Sequence, residues 1–180
     1  GEGCMAQRTV ALCNGKYIGI ETIYTVINGQ QINIPEKLKE LREKSHNNEL
    51  FCPCGCGTNL ILVAGDKNLR EQHFRKKTGT GEYVCSMPTE GKISVDSKII
   101  LKCWLDDKLK SNDIESRVPI VTVEDTKERT EFTFLSRSKK LAIRYWRTRA
   151  NIVDNKLDVL TGNLSGIDVI YIVDSSNGRQ

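Results

Sequence analysis

Three cysteines at alternate positions, in the stretch FCPCGCGTN at residues 51–59, are the side chains of this sequence best suited to chemistry. Cys52, Cys54 and Cys56 sit among Pro53, Gly55 and Gly57, and His73 and Cys85 follow downstream. Thiolates and an imidazole gathered in one short segment are the ligands of structural zinc, which takes four of them in a tetrahedron. Gly55 and Gly57 let the backbone fold tightly, so that its N–H groups can turn toward sulfur. Five candidates compete for four places. The spacing favours Cys52, Cys56, His73 and Cys85, with Cys54 as the alternate, because a single residue between ligands strains a tetrahedral site. Four ligands would close the site and make the zinc structural rather than catalytic. The segment lacks a Cys-x-x-Cys pair, so a redox role is the weaker reading. Unliganded thiols near a lone histidine are the bland alternative, and exposed thiols in a glycine-rich loop are a reactive liability.

These ligands need a scaffold. The 180 residues suffice for one large domain or two small ones, and a hydrophobic content of 38% can furnish a core. Residues 8–34 read as strands, with Asn14-Gly15 and Asn28-Gly29 as hairpin turns. Pro35-Glu36 opens a short helix to Lys44, with Leu38 and Leu41 on one side. Residues 50–90 have little apolar content beyond LILVAG and need a staple other than a core. Within them, Thr58 to Val63 and the QHF stretch would form a two-stranded ribbon that returns His73 to the cysteines. Residues 94–110 read as a helix capped by Ser94 or Ser97, with an apolar stripe of Ile99, Ile100, Cys103, Trp104 and Leu109. Residues 116–136 alternate like two strands about a DTKER turn, residues 137–150 read as a basic helix, and residues 152–160 are weakly helical. The apolar run 167–173 suits a strand buried on both faces. The expected class is α+β: a β-rich hairpin element with a short helix (5–49), a zinc-ribbon-like segment (50–90) and a small mixed α/β domain (91–180).

Residues 1–4 read as a tag remnant ahead of Met5, and the ending just past a strand suggests a longer protein cut at its C-terminus. Cys13 and Cys103 lie in apolar surroundings and read as buried small hydrophobes. No run of 18 apolar residues is present, so no membrane span is expected. The N-terminus has no signal-peptide pattern, which points to a cytoplasmic, reducing setting where clustered cysteines bind metal.

The net charge of +4 is compatible with nucleic acid but argues for it only if charge clusters. Two clusters are visible. Arg137, Lys139, Lys140, Arg144, Arg147 and Arg149 surround Tyr145 and Trp146 on the expected helix, and Arg70, Arg75, Lys76 and Lys77 flank His73. Arginine and lysine contact phosphates while aromatics stack on unpaired bases. Arg144, Arg147, Arg149, Lys140, Arg75 and Lys76 are the candidate contacts to nucleic acid, DNA foremost. The competing reading is a solvated helix face with Tyr145 and Trp146 in its buried stripe beside Leu141 and Ala142.

The string FCPCGCGTNLILVAGDKNLREQHFRKKTG, followed by Cys85, resembles the N-terminal zinc finger of the competence protein CoiA-like family. Cys52-Pro53, Cys56 and His73-Phe74 match its motifs, while Lys76 stands where that pattern has a second histidine. The resemblance implies a following nuclease-like domain of the PD-(D/E)XK type. Residues 89–105 resemble its first helix, with Glu90 at the start. TEFTFLS resembles a hairpin strand with Glu131 in the acidic position, and IDVIYIVD resembles its late apolar strand. Thr133 stands where a Lys or Gln is expected, and Glu124 or Asp125 are the candidates for an upstream acidic ligand. The resemblance thus implies structural zinc, and Mg²⁺ if Glu131 and Glu90 are remnants of a catalytic metal site. The reading is a zinc-binding, DNA-binding protein with a degenerate or incomplete nuclease-like domain. An active Mg²⁺-dependent endonuclease and a protein–protein interaction module with structural zinc are the alternatives.

Overall fold

Two Asn-Gly pairs shape the start of the chain. Strands β1 (Val10–Cys13) and β2 (Lys16–Gly19) pair antiparallel across Asn14-Gly15. Strands β3 (Tyr24–Ile27) and β4 (Gln30–Asn33) do the same across Asn28-Gly29. All four turn residues have positive φ, at 50° and 78° in the first pair and 51° and 77° in the second. That left-handed backbone is what a two-residue turn needs to match the twist of its strands. A 3-10 turn, Ile20–Ile23, joins the hairpins. Helix α1 (Pro35–His46) begins with the proline at its first turn, where the missing N–H has no partner to lose, and buries Leu38 and Leu41.

A computed structural model of the chain describes residues 7–63, 72–79, 89–120, 131–146 and 166–174. The chain divides into two compact units, Gly1–Lys108 and Leu109–Gln180. In the first, β5 (Leu60–Val63) and β6 (His73–Lys76) form the expected antiparallel ribbon. Its core is continuous: Val10, Ile20, Leu38, Leu50, Leu60 and Phe74 pack in one cluster that also holds Cys52 and Cys56. A boundary at 49/50 would pass through that cluster, so the hairpins and the ribbon share one interior. Helix α2 (Lys92–Leu109) buries Ile99 and Leu105. Ile100 and Trp104, expected in its buried stripe, are 59% and 46% exposed.

The described residues of the second unit form a four-stranded mixed sheet of β7 (Glu115–Pro119), β8 (Glu131–Ser136), β9 (Leu141–Trp146) and β10 (Asp168–Val173), in the order β10-β9-β8-β7. Among the described residues, two α-helices, several small antiparallel sheets and this mixed sheet make the class α+β. One expectation fails here. Residues 141–146 are not part of a basic helix but a strand, antiparallel to β8 and parallel to β10. The basic residues at 137–140 form the turn into it, with Lys140 at φ 51°. Ile143, Tyr145 and Trp146 favour strands, and pairing on both sides satisfies a backbone that charge spacing alone marks as helical. β10 is a strand as expected, yet it lies at the sheet edge with Ile170 exposed, rather than buried on both faces. The DTKER turn and residues 152–160 lie outside the described residues.

Asp113 anchors the β8–β9 turn. Its carboxylate accepts bonds from Ser136 Oγ at 2.9 Å, from the Ser138 N–H at 2.8 Å and from the Ser111 hydroxyl. Burial by itself would raise this carboxyl, but the bonds from Ser111, Ser138 and Ser136 outweigh it and hold the group well below the usual carboxylate range. The depressed group stabilises the fold above its unfolded value near pH ~3.9, and that contribution fades as pH falls toward the folded value. Asp113→Ala is expected to destabilise the protein by about 1–3 kcal/mol at pH 7. Urea unfolding at pH 7 and near pH 3 should show the gap between wild type and variant narrowing in acid.

Candidate metal centre

The cysteine knuckle is the loop of a tight hairpin. Phe51 exchanges both backbone hydrogen bonds with Leu12 of β1, each 2.8 Å. The Leu60 N–H donates to the Leu50 carbonyl at 2.9 Å, and the Cys52 N–H donates to the Thr58 carbonyl at 2.9 Å. Within the loop, the Gly55 N–H donates to the Cys52 carbonyl at 3.2 Å. In an extended strand, residues two apart lie on one side but roughly 6.6 Å from each other. Positive φ at Gly55 (84°) and Gly57 (77°) curls the chain and shortens that spacing. A side chain at either glycine would strain the curl.

The result is one group of three thiols. The sulfurs of Cys52, Cys54 and Cys56 all lie within 4.8 Å of one another, and Cys52 Sγ is 3.3 Å from Cys54 Sγ. Around tetrahedral zinc, with Zn–S near 2.3 Å, thiolate sulfurs stand about 3.8 Å apart. The three sulfurs therefore already span one face of such a site, and the group could hold a metal ion. Cys54, the alternate in the sequence reading, is a full member. The single-residue spacing that counted against it is accommodated by the glycine-driven curl. Cys52 and Cys56 are buried in the core, and Cys54 is half-buried against it.

Thr58 tunes the group. Cys56 Sγ lies 3.2 Å from Thr58 Oγ1. Hydrogen bonds from the Thr58 side chain and backbone, aided by Cys54 and Cys52 and opposed by burial, lower the Cys56 thiol to about 6. These bonds favour the thiolate form at Cys56, the form that binds metal. Cys13, by contrast, is a buried thiol whose titration is pushed up by desolvation, and it remains a packing residue as expected.

His73 does not join the sulfurs. The ribbon pairs Leu60 with Lys76 beside the knuckle and Val63 with His73 at the far end. Three register steps at the strand rise put His73 about 10 Å further out than Lys76. Among the described residues no histidine or carboxylate belongs to the cysteine group. Cys85 lies outside the described residues. The chain leaves β6 on the knuckle side, where the Lys77 N–H donates to the Asn59 carbonyl at 2.8 Å.

Arg144, a candidate nucleic-acid contact on the expected basic helix, is 8% exposed in β9, donates to the Glu131 carbonyl, and stacks 5.0 Å above the Trp146 ring. Trp146 in turn stacks on Tyr171 with centroids 5.3 Å apart, and the Tyr145 hydroxyl donates to Asp174 Oδ2 at 3.1 Å. Arg144 and Trp146 are thus buried in the packing of the sheet, with Tyr145 and Tyr171 half-buried beside them. Lys140 and Arg75 are exposed and Lys76 is half-buried, while Arg147, Arg149 and Arg70 lie outside the described residues. Glu90 precedes α2 and accepts from the Thr9 hydroxyl, from Ser94 Oγ at 2.6 Å and from Lys98 Nζ at 2.6 Å. It belongs to the first unit and Glu131 to the second. Glu124 and Asp125 lie outside the described residues.

No family model matches the chain, and no curated protein or solved structure matches it. The CoiA-like resemblance is carried by the quoted residues alone. No helix among the described residues is long and apolar enough to cross a membrane.

Cobalt titration, read through thiolate-to-metal absorption, tests this geometry. Cys54→Ser is expected to weaken uptake by about 100-fold or more, beyond the range seen when only a supporting group is lost, and His73→Ala should leave it unchanged. Uptake by the wild type should weaken as pH falls through about 6, because Cys56 is then protonated and the metal must displace that proton.

Proposed function

We propose that Cys52, Cys54 and Cys56 hold one structural zinc ion, with Cys85 as fourth ligand, in a nucleic-acid-binding protein of the CoiA-like kind. The observation that carries the metal is the three-sulfur group with spacings that suit tetrahedral thiolate coordination. Soft thiolates select zinc over hard cations, and in the group neither a carboxylate nor an imidazole offers a base for metal-bound water. Burial of two of the three sulfurs in the core also favours a staple over a reaction centre.

Beyond the ribbon, the chain order of helix α2, antiparallel strands β7 and β8 and the later apolar strand β10 supports the nuclease-like reading. The chemistry supports a degenerate one. Thr133, where the pattern expects Lys or Gln, is buried, and its Oγ1 accepts the Tyr145 N–H at 2.9 Å. A Mg²⁺ nuclease needs carboxylates for the ion and a cation near the scissile phosphate. With Thr133 in the Lys or Gln position, Glu131 is weak machinery, so binding without cleavage is the function we assign. Of the candidate phosphate contacts among the described residues, Arg75 and Lys140 are exposed, and these are the cations we assign to phosphates.

Native mass spectrometry is expected to show one zinc per chain, with chelation abolishing cooperative unfolding of the first unit. A copper mass, or a metal-free protein that stays folded, would refute the zinc assignment. Arg75→Glu and Lys140→Glu should each weaken binding to single- and double-stranded DNA and make its salt dependence shallower by about one charge. Unaltered affinity would remove these contacts, and no binding at low salt would leave a protein-interaction module. DNA cleavage in Mg²⁺ that Glu131→Ala abolishes would replace the binding reading with an active nuclease.

A further inference from the structure

The sheet that carries the cysteine knuckle has an outward face that the metal does not explain. β1, the segment about Phe51, β5 and β6 lie side by side, through the bridges Leu12–Phe51 and Phe51–Asn59 and the pairing of β5 with β6. Directly paired residues share a face of a sheet. Leu12, Phe51 and Asn59 therefore form one row, which the Lys77 N–H extends onto β6 through the Asn59 carbonyl. Ile61 with Arg75, and Val63 with His73, follow on the same face further along the ribbon. Burial alternates to match. Leu50, Cys52, Leu60, Leu62 and Phe74 are buried, while the row and the two pairs that follow it are half-buried or exposed.

Phe51 stands out on this face. It is 40% exposed, although its chain neighbours Leu50 and Cys52 are buried and its backbone is bonded to Leu12 through both N–H and carbonyl. An aromatic ring is thus held at the surface on a fixed backbone. The half-buried Leu12 and Ile61 lie on the same face, and β6 adds the exposed Arg75 and the half-buried Lys77, whose Nζ donates to Asn48 Oδ1 at 2.8 Å. At about 4.8 Å per strand, the backbone of Lys77 runs roughly 10 Å from that of Phe51. None of the paired positions on this face is a carboxylate. The face therefore joins one exposed ring to cations of a single sign.

We propose that this face binds an unpaired strand of nucleic acid, with a base stacked on Phe51 and its phosphates at Arg75, with Lys77 beside it. The inference rests on the nucleic-acid reading above and narrows it to a single strand on the first unit. A polyanion matches a face that has cations and no carboxylate. Phenylalanine offers a π-face and no hydrogen-bonding group, so stacking on it does not select a sequence. A duplex keeps its base faces in its own stack, whereas an unpaired strand can turn one onto the ring.

Fluorescence anisotropy on the full zinc-loaded chain at low salt tests it, with labelled oligo-dT, oligo-U, an abasic strand of the same length and a blunt hairpin duplex as probes. Phe51→Leu should weaken oligo-dT by about tenfold, with its salt dependence and the melting temperature of the protein unchanged. Phe51→Tyr keeps the ring and should keep the affinity. The abasic strand and the duplex should bind the wild type and Phe51→Leu equally. Oligo-U bound in place of oligo-dT, with the same loss in Phe51→Leu, supports the proposal with RNA as the strand. Should Phe51→Leu fail to fold, the wild type alone decides, since stacking requires oligo-dT or oligo-U to bind more tightly than the abasic strand. Single strands that bind Phe51→Leu as well as the wild type, or no more tightly than the abasic strand, overturn the proposal and leave the nucleic-acid reading standing. An equal loss of duplex and single strand in Phe51→Leu also overturns it, because the residue then shapes the surface instead of meeting a base. No binding of any probe removes both.

Discussion

Two reciprocal backbone hydrogen bonds between Leu12 and Phe51 join β1 to the cysteine knuckle, and the first unit is organised around that seam. On one side the β1–β2 hairpin brings Val10, Ala11 and Cys13 inward; on the other, Leu50, Cys52 and Leu60 close against them. The sulfurs are consequently part of the interior and not an appendage to it. A side chain of this polarity is tolerated there when it is hydrogen-bonded or bound to metal. Thr58 meets part of that demand by stabilising the Cys56 thiolate. A metal would meet the rest, and its binding free energy would then count as folding free energy for the whole unit.

The second unit handles buried charge differently. Arg144 lies on a sheet face with its guanidinium over Trp146 and one N–H on the Glu131 carbonyl. Arginine is suited to this because its plane stacks on aromatic rings while its edge donates. Glu115, also buried, pairs with the exposed Arg137 at 2.9 Å. Together with the Asp113 anchor, these contacts fasten the β8–β9 turn and the β7 strand to each other. Among the described residues, Glu115 and Arg144 within the sheet are therefore spent on its architecture, while Arg137, Lys139 and Lys140 lie exposed in the β8–β9 turn.

Where one residue's neighbours in the chain decide its conformation, the sequence was a sufficient guide. Asn14-Gly15, Asn28-Gly29 and Pro35 specify turns and a helix start through their own φ preferences, and the ribbon and α2 follow from local apolar patterns. The cysteine cluster was legible for the same reason, since alternate positions next to glycines are held together by nearby backbone. Tertiary structure decided what depended on distant pairing. Residues 141–146 carry a charge pattern that an isolated helix would accept, but strands on both sides claim their backbone. The register of β5 with β6 sends His73 away from the sulfurs, and the curl at Gly55 and Gly57 brings Cys54 in. The row that sets Phe51 on one face with Arg75 and Lys77 has no local signal at all. It is made by pairing between segments far apart in sequence, because the register between strands decides which residues share a face.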